Sequence, residues 1–113
     1  MPANKRIKST HVLLDIETAI NPDTLTKEVL QEIVKRTGGN ILHCYEYQFT
    51  PQGKTINITL SESHATIHTY PEHNFIFTEL MTCGDIDESQ FIAGIIDFFK
   101  PVISTLRVID RSA

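Results

Sequence analysis

Apolar positions recur along the chain with two different spacings, and the spacing assigns each stretch to a strand or a helix. His11 to Glu17 (HVLLDIE) is an apolar run too short for a helix and reads as the first strand. Asn21-Pro22-Asp23 reads as a helix start, with Asn21 as N-cap and Pro22 at the first helical position. Leu25, Val29, Leu30, Ile33 and Val34 form a stripe at helical spacing, and Gly38-Gly39 end it. A second strand is expected at about Asn40 to Phe49, followed by the turn residues Thr50-Pro51-Gln52-Gly53-Lys54. The next stretch alternates strictly: Ile56, Ile58 and Leu60 face one way, Thr55, Asn57, Thr59 and Ser61 the other. After a break near Ser61 to Ser63, a strand is expected through Ala65 to Tyr70, a turn at Pro71-Glu72-His73-Asn74, and another strand from Phe75 to Cys83. Asp87-Glu88-Ser89-Gln90 resembles a capping box for a second helix. Phe91, Ile92, Ile95, Ile96 and Phe99 form its apolar face, and Pro101 ends it. Leu106 to Asp110 reads as the last strand.

Summarised as β-α-β-β-β-α-β, this order predicts an α+β fold. It is a two-layer α/β sandwich in which two helices cover one face of a mostly antiparallel sheet. The other face carries hydroxyl and amide side chains, suited to a second copy or to a site. With 113 residues and no internal repeat or linker, the chain reads as one domain, 1–113. A fold of this length buries roughly two-thirds of its unfolded surface, enough for one core. A hydrophobic fraction of 41% and a charged fraction of 21% are ordinary for a soluble protein. The net charge of -4 argues against a nucleic-acid surface. No apolar run is long enough to span a membrane, and Met1 to Arg6 carries no signal-peptide pattern. Cys44 and Cys83 are too few for a disulfide framework and lack paired zinc spacing, so no metal is expected. A cytoplasmic location fits these features.

The chemistry-bearing candidates lie in the middle of the chain. Ser63 stands in a polar turn, Leu60-Ser61-Glu62-Ser63-His64; His68 follows on the next strand, and Cys83 ends the one after. Hydroxyl, imidazole and thiol are expected to converge at the edges of neighbouring strands. A serine hydrolase is disfavoured because no Gly-x-Ser-x-Gly elbow is present. Taken singly, each has a plain structural use: the serine in a turn, the histidine hydrogen-bonded on a strand, the cysteine as a small buried hydrophobe. His43 and Cys44 carry no motif and read as structural, and His11 begins the first strand.

The literal string adds a resemblance. Leu60 to Glu72 (LSESHATIHTYPE) followed by Met81-Thr82-Cys83-Gly84 closely resembles the bacterial S-adenosylmethionine decarboxylase proenzymes. That family's pattern runs Ser-Glu-Ser-His, Ile-His, an aromatic, Pro-Glu and then Thr-Cys-Gly. Phe49-Thr50-Pro51-Gln52-Gly53 is similar to the family's preceding loop. The resemblance implies a chain that cuts itself between Glu62 and Ser63 into 1–62 and 63–113, and turns Ser63 into a pyruvoyl group. That group condenses with the substrate amine and draws electrons during loss of carbon dioxide. The implied roles are His68 as base in the processing, Thr55 as its hydroxyl support, and Cys83 as the acid that returns a proton. Phe49 and Tyr70 would stack on the adenosine and face its sulfonium, and Glu72 would accept hydrogen bonds from the ribose. Two processed protomers are expected to pair, with active sites near their interface. Thr55-Ile56 stands where the family has Ser-Gly, and Glu17-Thr18-Ala19-Ile20 replaces a Gly-Cys-rich stretch. Both departures are expected to bear on substrate recognition, which leaves ornithine or arginine as alternative substrates. An uncut regulatory homologue is the alternative of another class.

Overall fold

The computed structural model describes residues 6–113; the reading of the first five residues as free of a signal pattern lies outside the described residues. The chain runs β1 (Ser9–Glu17), a 3₁₀ turn (Pro22–Thr24), α1 (Lys27–Lys35), β2 (Ile41–Gln48), β3 (Lys54–Leu60) and β4 (Ser63–Tyr70). A second 3₁₀ turn (Pro71–His73), β5 (Phe75–Cys83), α2 (Glu88–Phe99) and β6 (Ile103–Asp110) complete it. All neighbours are antiparallel in one six-stranded sheet of order β2-β3-β4-β5-β1-β6. The α+β sandwich is as expected, but four strands lie between the helices, so the order β-α-β-β-β-α-β undercounts the sheet by one. The break at Ser61 and Glu62 is a two-residue turn, too short to prevent β3 and β4 from pairing, and β4 starts at Ser63.

The first helix also begins later than the Asn-Pro signal implies. Asn21 Oδ1 does accept from an N–H, that of Asp23 at 3.0 Å, but it caps the 3₁₀ turn. Leu25 then returns to extended backbone, and Thr26 caps α1 by accepting from the N–H of Val29. Two cap signals in close succession compete, and the one followed by an unbroken helical stripe starts the helix. At the second helix Asp87 is the N-cap, accepting from the N–H of Ser89. Ile96 lies on the exposed side, its place against α1 taken by Gly94.

Strand periodicity sorts side chains between the two faces of the sheet. Val12, Leu14, Ile16, Ile56, Ile58, Leu60, Ala65, Ile67, Ile76 and Leu80 are buried beneath Leu30, Ile33, Val34, Phe91, Ile95 and Phe99 of the helices. Gly94 packs against Ile33 of α1: a Cβ there would stand 2.6 Å from Cγ2 of Ile33. Gly94→Ala is therefore expected to lower stability by about 1–2 kcal/mol, overpacking outweighing the better helix propensity of alanine. A denaturant-unfolding midpoint equal to or above that of the unsubstituted chain would contradict this contact.

Among the described residues, nothing covers the opposite face. On it lie Tyr45, Tyr47, Tyr70, Phe77, Ile103 and Ile109, all exposed, among Thr55, Asn57, Thr59, His64, Thr66, His68 and Glu79.

Candidate active site

The chemistry-bearing residues form two groups at opposite ends of β4. The first is built on the β3–β4 turn. Leu60 pairs with Ser63, leaving Ser61 and Glu62 as the connection, and Asn40 holds it: its carbonyl accepts from the N–H of Ser61 at 3.0 Å. Glu62 sits at φ +62°, a left-handed conformation that costs a non-glycine residue of order 1 kcal/mol. Antiparallel pairing sets His64 opposite Met81 and so brings Ser63 beside the end of β5. There the buried Ser63 Oγ accepts a hydrogen bond from the Cys83 backbone N–H at 3.0 Å. Ser9 lies across from Cys83 on β1, and its buried hydroxyl finds no hydrogen-bond partner among the described residues. Nothing in the sequence singled out Ser9; only the β1–β5 register places it here.

The second group surrounds the far end of the same strand. Thr55 of β3 pairs with His68 of β4, and Thr55 Oγ1 and His68 Nδ1 share a hydrogen bond of 2.8 Å. Thr55 and His68 line a cleft of about 440 Å³ together with Phe49, Tyr70 and Glu72. Five residues proposed for processing support and substrate binding thus share one concavity, with aromatic rings and a carboxylate of the kind a polar, ring-bearing ligand needs.

Convergence of hydroxyl, imidazole and thiol does not occur within one chain. Ser63 Oγ meets the backbone N–H of Cys83, but His68 is five residues further along β4, which at about 3.3 Å per residue puts it about 16 Å from Ser63. The odd spacing also turns its side chain to the open face. A strand, unlike a tight turn, carries residues apart at its full rise.

Between the groups, the open face holds two polar clusters. Glu79 lies between His11 Nε2 at 3.2 Å and His64 Nε2 at 3.4 Å, while Arg107 pairs with Asp15 at 2.8 Å. Sequence reasoning gave His64, Glu79, Asp15 and Arg107 no role; alternation puts each on this face, but only strand order makes them neighbours.

Of the departures flagged in the sequence, Thr55 lines the cleft, whereas Ile56 and Thr18 are buried away from it. Ile56 is fully buried in the core beneath the helices, so its bulk fills the hydrophobic layer and does not crowd the processing turn. Thr18 is buried too: its hydroxyl donates to the carbonyl of Phe99 at 2.6 Å, capping the end of α2. Strand parity sends Ile56 to the helix layer, and Thr18 lies at the end of α2.

The sequence model of the family described as S-adenosylmethionine decarboxylase matches residues 10–112. The chain belongs to the S-adenosylmethionine decarboxylase family. Among its relatives, the S-adenosylmethionine decarboxylase proenzyme of Hydrogenobaculum sp. is 34% identical over 107 residues, covering 89% of this chain and 79% of that protein. The proenzyme of Brevibacillus brevis is 36% identical over 83 residues, 73% of this chain but 62% of the relative's own length. The crystal structure of the adenosylmethionine decarboxylase from Aquifex aeolicus superposes with a TM-score of 0.83 at 27% identity, covering 98% of this chain and 94% of that one. A Trypanosoma brucei structure, AdoMetDC-delta26 monomer, shares the fold at a TM-score of 0.59 and 21% identity, over 90% of this chain and 45% of that one. For this member of the S-adenosylmethionine decarboxylase family, the strings that carry the resemblance, Leu60 to Glu72 and Met81 to Gly84, fall on the end of β3, on β4, on the end of β5 and on the turns beside them.

Proposed function

We propose that the chain is a proenzyme that cuts its own backbone between Glu62 and Ser63 and then releases carbon dioxide from S-adenosylmethionine. The observation that carries this reading is the Ser63 hydroxyl, fixed by the Cys83 N–H directly after a residue in left-handed conformation. A nucleophile adjoining the bond it attacks gains its rate from proximity. Ser63 Oγ adds to the Glu62 carbonyl carbon, the C–N bond breaks, and the freed nitrogen takes the hydroxyl proton, leaving an ester. Removal of the Ser63 α-proton expels the Glu62 carboxylate. Water then replaces the nitrogen, released as ammonia, and chain 63–113 begins with a pyruvoyl group.

The residues present suit such a group: a serine precursor at a strand start, held by the Cys83 N–H, and the unpartnered Ser9 hydroxyl across the β1–β5 register from Cys83. Its ketone supplies an electron sink for decarboxylation. Cys83 returns the proton to the α-carbon, Phe49 and Tyr70 hold the adenine, and Glu72 accepts from the ribose hydroxyls. The aromatic lining of the cleft favours this substrate over ornithine or arginine, which carry no ring to stack. No helix among the described residues is long and apolar enough to cross a membrane.

The separation of the two groups gives the second copy its function. No rotamer change spans about 16 Å along one strand, so His68 of one copy serves Ser63 of another. The open sheet faces pair, burying the tyrosines, Phe77 and the isoleucines that a single chain exposes. Neither a Ser63→Ala chain nor a His68→Ala chain is expected to cut alone. Co-expressed, they are expected to yield cut His68→Ala chains. No cut product in the mixture would refute the shared site.

Denaturing mass spectrometry tests the cut: two species, 1–62 and 63–113, the second ending in a ketone and lacking a free amine. A chain that persists whole under all conditions would sink the enzyme reading. Carbon dioxide release from S-adenosylmethionine, set against ornithine and arginine, tests the substrate.

A further inference from the structure

The cleft that holds Phe49, Tyr70 and Glu72 has walls from separate parts of the chain. One is the loop between β2 and β3; the other is the end of β4 and the 3₁₀ turn after it. The second wall is anchored in the sheet by β4, while the first is a loop. The loop closes on itself at Gly53, whose carbonyl accepts from the N–H of Phe49 at 2.8 Å and from Gln48 Nε2 at 2.8 Å. Those bonds shape the loop but do not attach it to the opposite wall.

Beside the bond from the Lys54 N–H to the Thr69 hydroxyl, a second attachment comes from outside the cleft, from the short turn after β1. Asp23 Oδ2 accepts from the N–H of Gly53 at 2.9 Å, and Asp23 Oδ1 accepts from the hydroxyl of Thr69 at 2.6 Å. Thr69 is buried, immediately precedes Tyr70, and its hydroxyl oxygen also accepts from the N–H of Lys54 at 2.8 Å. Lys54, equally buried, sends its ammonium to the carbonyl of Leu25 at 3.0 Å, and its charge has Glu46 at 3.9 Å. Asn21 in turn fixes the backbone of Asp23. One carboxylate therefore uses each of its oxygens on a different wall, and its own position is set from both sides. Hydrogen bonds to an ionised acceptor are roughly twice as strong as neutral ones, and burial of the partners shields them from water.

We infer that Asp23 is a positioning residue for the cleft, setting the distance between the wall that carries Phe49 and the wall that carries Tyr70. It touches no substrate; it acts through Gly53 and Thr69. The inference rests on the proposed use of this cleft for the adenosyl group.

The test has two readouts on the full chain carrying Asp23→Ala or the near-isosteric Thr69→Val. Amide hydrogen exchange at Gly53 is expected to rise about tenfold in Asp23→Ala, the Gly53 N–H having lost its acceptor, while amides of β1 and β5 keep their rates. KM for S-adenosylmethionine is expected to rise about tenfold in both variants with kcat within about threefold, since ground-state and transition-state binding are weakened alike. The double variant should be no worse than the worse single one, because both break the same tie. Unchanged Gly53 exchange would overturn the clamp. Faster exchange with unchanged KM would overturn the positioning role. Were the unsubstituted protein unable to decarboxylate S-adenosylmethionine, the functional reading would fall, and Gly53 exchange would still decide the clamp.

Discussion

A Ser63→Ala chain is expected to remain whole at the mass of 1–113 for as long as the unsubstituted chain takes to convert completely. Alanine removes the hydroxyl that the proposed cut uses against the Glu62 carbonyl, and an amide bond without an intramolecular nucleophile is inert on that timescale. The substitution also leaves the Cys83 N–H without its acceptor, at about 1–3 kcal/mol. That is a fraction of the stability of an ordinary domain, so the uncut variant should still fold. Its circular dichroism and unfolding midpoint distinguish failure to cut from failure to fold. Equal cleavage in Ser63→Ala would refute the assigned bond.

Cys83→Ala is expected to separate the two activities. The contact that fixes Ser63 is made by the backbone of Cys83, which alanine keeps, so the cut should proceed and yield 1–62 and 63–113. Decarboxylation should fall by about 10²–10⁴-fold, the usual contribution of one general acid. Two chains with low activity in the same sample is the signature to look for. Failure of Cys83→Ala to cut would show that the thiol acts in processing. A decarboxylation rate equal to the unsubstituted protein's would remove it from the acid's role.

Much of the fold was legible because its signals are local. The alternation from Thr55 to Leu60 appears in the structure as buried and exposed positions in strict turn, and Phe75 to Cys83 is a strand with those bounds. Errors fell where two local signals competed or where an element depends on its neighbour. Asn21-Pro22 is a sound cap, but it caps a 3₁₀ turn because Thr26 supplies a second cap ahead of the apolar stripe. Ser63 and His64, too polar to read as strand, belong to β4 because β3 and β5 offer backbone partners on both sides.

The candidate site divides in the same way. Phe49, Thr55, His68, Tyr70 and Glu72 were marked by the literal string, and they line one cleft. Asp23, Ser9 and Glu79 carried no such mark, because each acquires its neighbours through contacts with distant segments: Asp23 with Gly53 and Thr69, Ser9 with Cys83, Glu79 with His11 and His64.

By itself the sequence determined the residue types, the strand faces and the chain's family, since these follow from period, spacing and string. Only the tertiary structure decided which of those residues meet. Strand rise holds Ser63 about 16 Å from His68, antiparallel register joins Ser63 to Cys83, and a carboxylate from a turn near the start of the chain ties the cleft together.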